Sequence, residues 1–362
     1  MDRYEIGLNK WEIDTPALVL DLDALERNLA KMATFLQDKP ARVRPHSKTH
    51  KCPTIAWKQL EAGAIGITCA KLGEAEVMAR AGIRDILIAN QIIGPTKIRR
   101  LVNLAAYSEI MVAVEDAENA RQLSEAATAA GVRLRTIIEV EVGMGRCGVE
   151  PGEDALPLAR EMATLPGLRF EGIMGYEGHT VMIPDMDKRR AAAEEAMARL
   201  IETKVALDQD GLPAGIVSAG GSGTYNITGV YPGVTEIQAG SYATMDARYK
   251  GVIPEFENAL TVVAQVISCR GDHAVIDAGL KTMTPEFGVP ELHQPAGWAL
   301  GGQSEEHSSL KRSDGAALRP GDRVEVIPSH GCTTINLHDA YYITSNERVV
   351  AIWPVAGRGQ VR

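Results

Sequence analysis

The sequence predicts an α/β protein: an N-terminal (β/α)8 barrel of the TIM type followed by a C-terminal all-β domain. Three observations predict it. Eight short runs rich in β-branched residues recur through the first two thirds of the chain, with alanine-rich helical patterns between them. After about Ala243 the rhythm changes to strand-like runs without long helices. The chain has 362 residues, of which 45% are apolar, enough for the core of a large domain plus a smaller one.

The eight runs fall at 41–48, 64–71, 85–91, 109–115, 135–143, 169–177, 215–221 and 235–240. Helical patterns cover 52–62, 72–81, 117–130 and 188–209. The last link, 221–234, is too short and too rich in glycine and proline for a full helix. Strands alternating with helices imply a parallel sheet with right-handed crossovers. Eight units favour a closed barrel over an open doubly wound sheet. No GxGxxG follows the first run, which weighs against a dinucleotide fold. Beyond Ala243, "ALTVVAQVISCR", "HAVIDAGL", "DRVEVIPSH", "AYYITSN" and "RVVAIWPVA" read as strands punctuated by Gly and Pro. The barrel is expected over 14–242, and the β domain over 243–362 together with 1–13. The opening "ALVLDLDALERNLAKMATFL" is a strand running into a helix and fits either domain.

Net charge is −9, from 38 basic and 47 acidic residues without basic runs, so neither nucleic acid nor an anionic membrane is an expected partner. No run approaches ~18 apolar residues. The N-terminus lacks the apolar stretch of a signal peptide. Cys52, Cys69, Cys147, Cys269 and Cys332 are odd in number and form no CxxC, so a reduced, cytoplasmic chain is expected.

In a barrel, chemistry collects at the C-terminal ends of the strands. The first run ends "RPHSKTHK". Strand alternation puts Arg44, His46 and Lys48 on one face. Cations there need anionic partners to be buried. A lysine at the mouth of a barrel can lose its proton and form a Schiff base. Lys48 stands at the strand end, and Lys51 lies beyond it in the following turn. For Lys48 alone, the plain alternative is a basic strand end reaching solvent. Runs seven and eight end in "SAGGSGTY" (218–225) and "QAGSY" (238–242), whose backbone N–H groups suit a phosphate. Glycine is also the commonest turn residue. A lysine opposite two such loops points to pyridoxal 5′-phosphate. "GMGRCGV" projects Arg146, and "GYEGH" offers Tyr176 and His179. The plain alternatives are a surface salt bridge, a rim aromatic and an exposed loop histidine. Near the C-terminus, "PSHGCTTINLHD" sets His330 two residues from Cys332. On a strand both would face one side, as metal ligands must; a buried strand pair is the alternative.

Seven segments, "RPHSKTHKCPTIA", "GMGRCGV", "GYEGH", "SAGGSGTY", "EIQAGSYATMDARY", "IDAGLK" and "PSHGCTTINLHD", resemble in consistent order the D-threonine aldolase and D-serine dehydratase family. These are fold type III pyridoxal phosphate enzymes related to alanine racemase, and the resemblance runs from about Asp14 to Arg362. It implies a barrel, a C-terminal β domain that brings the late pair over the barrel mouth, and a homodimer. It makes Lys48 the Schiff-base lysine and sets Arg146 and Tyr176 around the pyridine ring. It places Ser218, Gly220, Gly221, Gly223, Thr224, Gly240, Ser241 and Tyr242 in the phosphate cradle. It makes His330 and Cys332 a divalent-metal pair facing the β-hydroxyl of a D-configured 3-hydroxy amino acid.

Two departures bear on the reaction. Aldolases of the family resemble "SHCDPT", with an aspartate where this chain has Cys332, as the dehydratases do. A thiolate beside an imidazole favours Zn2+ over Mg2+ or Mn2+. The aldolases also resemble one another in a histidine six residues after the tyrosine of strand six. Met182 stands there and cannot act as a base; His179 is a nearer candidate. Both features lean towards a dehydratase of the D-serine or 3-hydroxyaspartate type, giving keto acid and ammonia. The second reading is a D-threonine-type aldolase using His179. A racemase-like protein or cofactor carrier without lyase chemistry is the third, and has no need of the metal pair. His307 is a candidate support for the metal. Asp277, Lys281, His338 and Asp339 read as structural.

Overall fold

The strands of the chain sort into two sheets in the computed structural model, which describes residues 3–362. Residues 1 and 2 of the N-terminal segment lie outside the described residues. Two compact units result. One comprises the chain up to Lys31, Thr49–Thr54 and Ser241–Gly359; the other comprises Met32–Lys48, Ile55–Gly240 and Gln360–Arg362.

The first strand, β1 (Ala17–Asp21), belongs to the strand-rich unit. The barrel strands follow: β2 (Arg42–Val43), β3 (Ile67–Cys69), β4 (Asp85–Gln91), β5 (Glu109–Val114), β6 (Leu134–Glu139), β7 (Leu168–Gly175), β8 (Ile216–Ala219) and β9 (Glu236–Ile237). They are parallel and pair in the order β2-β9-β8-β7-β6-β5-β4-β3. The ring closes where Ser47 N–H donates to Thr68 O at 2.7 Å and Thr68 N–H donates to Pro45 O at 2.9 Å. All eight predicted runs are strands of this barrel. The helices between them start at identifiable caps. Asp116 accepts from Asn119 N–H ahead of Ala117–Ala129, and Asp185 accepts from Lys188 N–H ahead of Met186–Gln209. The link between β8 and β9 holds only a 3-10 turn and the single helical turn Tyr225–Thr228, as its composition predicts.

The strand-rich unit adds β10 (Leu260–Arg270), β11 (His273–Ile276), β12 (Glu291–Gln294), β13 (Trp298–Gln303), β14 (Ser308–Arg312), β15 (Arg323–Ile327), β16 (Ala340–Ser345) and β17 (Arg348–Pro354). Its order is β13-β14-β11-β10-β1-β16-β17, with β15 also on β10 and β12 on β15. A boundary at residue 14 would have put β1 with the barrel. Instead β1 runs antiparallel to β10 and parallel to β16. Ala17 to Leu20 are all buried, so both faces of this strand need cover, and a central position supplies it. Residues 7–10 pair with the β16–β17 hairpin through Gly7 N–H to Val349 O and Lys10 N–H to Glu347 O. Ile13, Ala17, Val19, Val263 and Val349 form a core cluster here. No helix among the described residues is long and apolar enough to cross a membrane, and the five cysteines are free thiols.

Candidate active site

The barrel interior is layered, and the layering begins with Arg44. Its Nε lies 3.0 Å from Glu236 Oε1 and its Nη1 2.6 Å from Asp85 Oδ1. Asp85 also takes Arg135, which pairs with Glu171 at 2.8 Å. Arg44, Asp85 and Arg135 come from β2, β4 and β6, alternate strands whose side chains meet inside a barrel. Leu87, Met111, Ala113, Ile137 and Met174 form the apolar layer of β4–β7. The polar residues Lys48, Gln91, Glu115, Glu139 and Tyr176 follow at the C-terminal ends of the strands. Arg44 is matched by carboxylates, while Lys48 lies in the turn at 47–50 beyond β2, so strand alternation does not set where it points.

Lys48 Nζ lies 5.5 Å from the centroid of the Tyr176 ring, and the Arg146 guanidinium carbon lies 5.7 Å from it. Carboxylates hold the Arg146 loop. Glu141 accepts from Gly143 N–H at 2.5 Å and Arg146 N–H at 3.0 Å, and Glu115 accepts from Gly148 N–H at 2.5 Å. Burial raises the Glu139 carboxyl above the usual range, while Gln91 and Arg146 oppose the shift. Glu139 meets Arg146 at 3.6 Å, and Gln91 Nε2 donates to Glu139 at 2.5 Å and Glu115 at 3.1 Å. Sequence reasoning missed this set. The signal was present, since a glutamate inside the apolar run "TIIEVEV" is costly to bury unless it is partnered.

The glycine-rich loop packs against the same tyrosine. A Cβ on Gly221 would sit 3.2 Å from Tyr176 Cε2, and one on Gly223 would sit 2.0 Å from Val181 O. Gly220 has φ +77°, a left-handed turn that glycine makes without strain. Thr224 is buried with its hydroxyl donating to Glu177 Oε1 at 2.7 Å and its backbone N–H donating to Gly221 O at 3.2 Å. Ser218 is buried and accepts from Gln238 Nε2 at 2.9 Å.

Other expected residues are placed as follows. His179 is exposed beside Gly143. Gly240 is buried after β9. Ser241 and Tyr242 fall in the strand-rich unit: the Ser241 hydroxyl lies 3.8 Å from the Cys332 thiol, and the Tyr242 ring packs edge-on against Phe256 at 5.8 Å. His307 is exposed on the turn from β13 to β14. His338 Nε2 bonds Thr282 O at 2.9 Å, and Asp277 takes Thr15 Oγ1 and Gln265 N–H, so both brace loops. Lys281 pairs with Glu306 at the surface. Asp339 pairs with Arg358.

His330 and Cys332 are not on a strand. β15 ends at Ile327, His330 is the N-cap of the short helix Gly331–Ile335, and Cys332 lies in its first turn. The proline at 328 and the cap, rather than strand alternation, bring the two side chains together. Gly331 between them sits close to backbone, since a Cβ there would lie 3.2 Å from Met245 O. Buried Asp246 accepts from Gly331 N–H at 2.9 Å and Tyr249 N–H at 2.8 Å. His330 Nδ1 pairs with Glu286 Oε1 at 2.7 Å, and the Phe287 ring stacks on the imidazole at 4.2 Å. Burial works against the charged imidazole, but its hydrogen bonds to Cys332 and Glu286 and the charges of Cys332 and Asp246 push it up to about 9. The Cys332 thiol donates to Thr49 Oγ1 at 3.3 Å, and Thr49 follows Lys48 in the chain.

These features can be set beside known proteins. The family described as "Alanine racemase, N-terminal domain" matches residues 20–248, and "Putative serine dehydratase domain" matches residues 259–344. A 3-hydroxy-D-aspartate aldolase of Paracoccus denitrificans (strain Pd 1222) is 37% identical, over 98% of this chain and 94% of that one. This chain belongs to the D-threonine aldolase and D-serine dehydratase family. Within the family, the crystal structure of a D-threonine aldolase from Filomicrobium marinum superposes with TM-score 0.96 at 40% identity, covering 99% of both chains. A D-threo-3-hydroxyaspartate dehydratase of Delftia sp. (strain HT23) is 31% identical over 94% of this chain and 97% of its own. Family members thus include both carbon–carbon and carbon–oxygen lyases.

The residues fit the groups the family implies. An amine, an aromatic platform and a tight glycine loop stand together at the catalytic end of the barrel, as pyridoxal phosphate requires. Glu286, as an ionised carboxylate, can only accept from His330. A proton therefore sits on Nδ1, and Nε2, which the raised proton affinity keeps protonated at neutral pH, would give up its proton to bind a metal. Among the described residues no cluster of three or more His, Cys, Asp or Glu that could hold a metal is found.

Proposed function

We propose that this chain is a pyridoxal phosphate- and divalent-metal-dependent lyase of D-configured 3-hydroxy amino acids that eliminates water, yielding a keto acid and ammonia. The observation that carries the choice of reaction is the thiol of Cys332 paired with His330, a ligand set suited to zinc. Pyridoxal phosphate linked to Lys48 would supply the sink for electrons released at Cα, and the ion would supply the Lewis acid for the departing hydroxyl. Lys48 Nζ is the base for the Cα proton. Tyr176 would stand by the cofactor ring, where a phenol would not supply a full proton to the ring nitrogen, so the leaving hydroxyl would need the help of an acid at the β-carbon. Arg146, anchored by Glu139, would hold a positive charge beside the cofactor ring. Glu286 orients the ligand nitrogen of His330. Position 182, a methionine, provides no base for the hydroxyl proton whose removal would break Cα–Cβ.

The second reading is the retro-aldol cleavage, with His179 as base. It is favoured by the greater identity to the two aldolases, 37% and 40%, than to the dehydratase, 31%. Incubation with D-serine, D-threonine and 3-hydroxy-D-aspartate, with and without chelator, separates the readings. Keto acid plus ammonia supports elimination. Glycine plus aldehyde replaces it with cleavage. No turnover, with a chelator-insensitive spectrum, leaves a cofactor carrier. The homodimer and cytoplasmic location expected from the sequence belong to the same proposal; sedimentation analysis tests the first.

A further inference from the structure

We propose that Glu177 is a positioning residue that sets the spacing between the ring platform and the phosphate loop. The inference rests on the reading above, in which residues 218–224 hold the cofactor phosphate.

Glu177 is fully buried at the end of β7, directly after Tyr176. Its carboxylate gathers three donors from the loop and the helical turn behind it: Gly220 N–H at 3.1 Å, Thr224 Oγ1 at 2.7 Å and Thr228 Oγ1 at 2.5 Å. Its own carbonyl is fixed by Thr180, whose N–H and hydroxyl both donate to it at 2.9 Å. A buried carboxylate is costly, and it is retained where its lone pairs are used. Here they determine where the loop stands. The bond to Gly220 N–H fixes the left-handed turn that opens the loop, and the bonds to Thr224 and Thr228 fix its far end. Glutamine can keep Gly220 N–H on its one oxygen, but the contacts to Thr224 and Thr228 then survive only if both hydroxyls turn round to accept, and all three lose the carboxylate's charge.

The neighbouring residue gives this clamp its consequence. Tyr176 presents its ring to Lys48 and Arg146, and the same ring leaves no room for a side chain on Gly221. Adjacent Cα atoms are fixed about 3.8 Å apart. One strand end therefore places the ring platform with residue 176 and the phosphate loop with residue 177. Loosening Glu177 frees the loop relative to the ring without touching either.

The test compares binding of pyridoxal 5′-phosphate and of pyridoxal, which lacks the phosphate, to the apoprotein by absorbance and fluorescence titration. Glu177→Gln is expected to weaken pyridoxal phosphate by roughly tenfold or more, and pyridoxal by under about threefold. Thr228→Val, which removes one of the three donors, is expected to show the same selectivity more weakly, and it carries the test if Glu177→Gln fails to fold by circular dichroism. Equal weakening of both ligands would mean a merely structural role and overturn the inference, as would unchanged binding of pyridoxal phosphate. A wild-type protein with no preference for the phosphorylated form would instead remove the cradle assignment itself.

Discussion

Arg44→Met tests whether the basic strand end is structural at one end and chemical at the other. The Arg44 side chain is 3% exposed and grips both oxygens of Glu236, itself 2% exposed, at 3.0 and 3.1 Å. Removing the guanidinium leaves that carboxylate buried without its charge partner, a loss of about 3–5 kcal/mol. Asp85 adds little, since it is 35% exposed and keeps Arg135 at 3.1 Å. For a cooperative unit of roughly 200 residues the loss corresponds to a fall of about 6–20 °C in Tm. Urea melts followed by circular dichroism at the helical band measure it, because the long helices lie in the barrel unit. The double variant Arg44→Met/Glu236→Gln should recover part of the loss, because no buried charge is then left uncompensated. A loss below ~1 kcal/mol for Arg44→Met, or a double variant less stable than the single, would refute the assignment.

Four further outcomes are expected. Lys48→Ala should abolish the visible absorbance of bound pyridoxal phosphate; survival of the band would assign the cofactor amine elsewhere. Glu286→Gln should weaken metal binding by about 10–100-fold in chelator competition while sparing the fold, because the His330 ring loses its fixed orientation. Cys332→Asp should shift metal preference from zinc towards manganese or magnesium, read by metal content after equilibration with a mixture. Glu139→Gln should change the pH profile of stability. Burial raises the folded carboxyl above its unfolded value of 4.5, so the folded chain holds a proton that the unfolded chain has released. That contribution is present below the unfolded value and is lost as pH rises through the folded one, at ~1.4 kcal/mol for each decade in proton affinity. The variant should therefore gain on the wild type between pH 4.5 and neutrality; parallel profiles would contradict this.

The strand ends were legible because alternation is local. The glycine loops must follow β8 and β9 once those runs are known to be strands, whereas the strand of the first run ends at Val43 and Lys48 lies in a turn that alternation does not reach. The reduced cysteines, the barrel and the motif order likewise came from the linear pattern. What sequence alone could not give were contacts set by distant chain. β1 reads as a strand in any context, and only its pairing with β10 and β16 puts it outside the barrel. His330 and Cys332 lie at a helix cap after Pro328, so the strand alternation expected to bring them together is not what places them. Glu139, Glu177 and Glu286 carry no local signature beyond their charge. Most of their partners lie 7 to 51 residues away. The sequence determined which side chains stand at strand ends, since backbone geometry repeats every two residues. The tertiary structure decided which carboxylates hold them, since a buried charge is tolerated only where folding delivers donors to it.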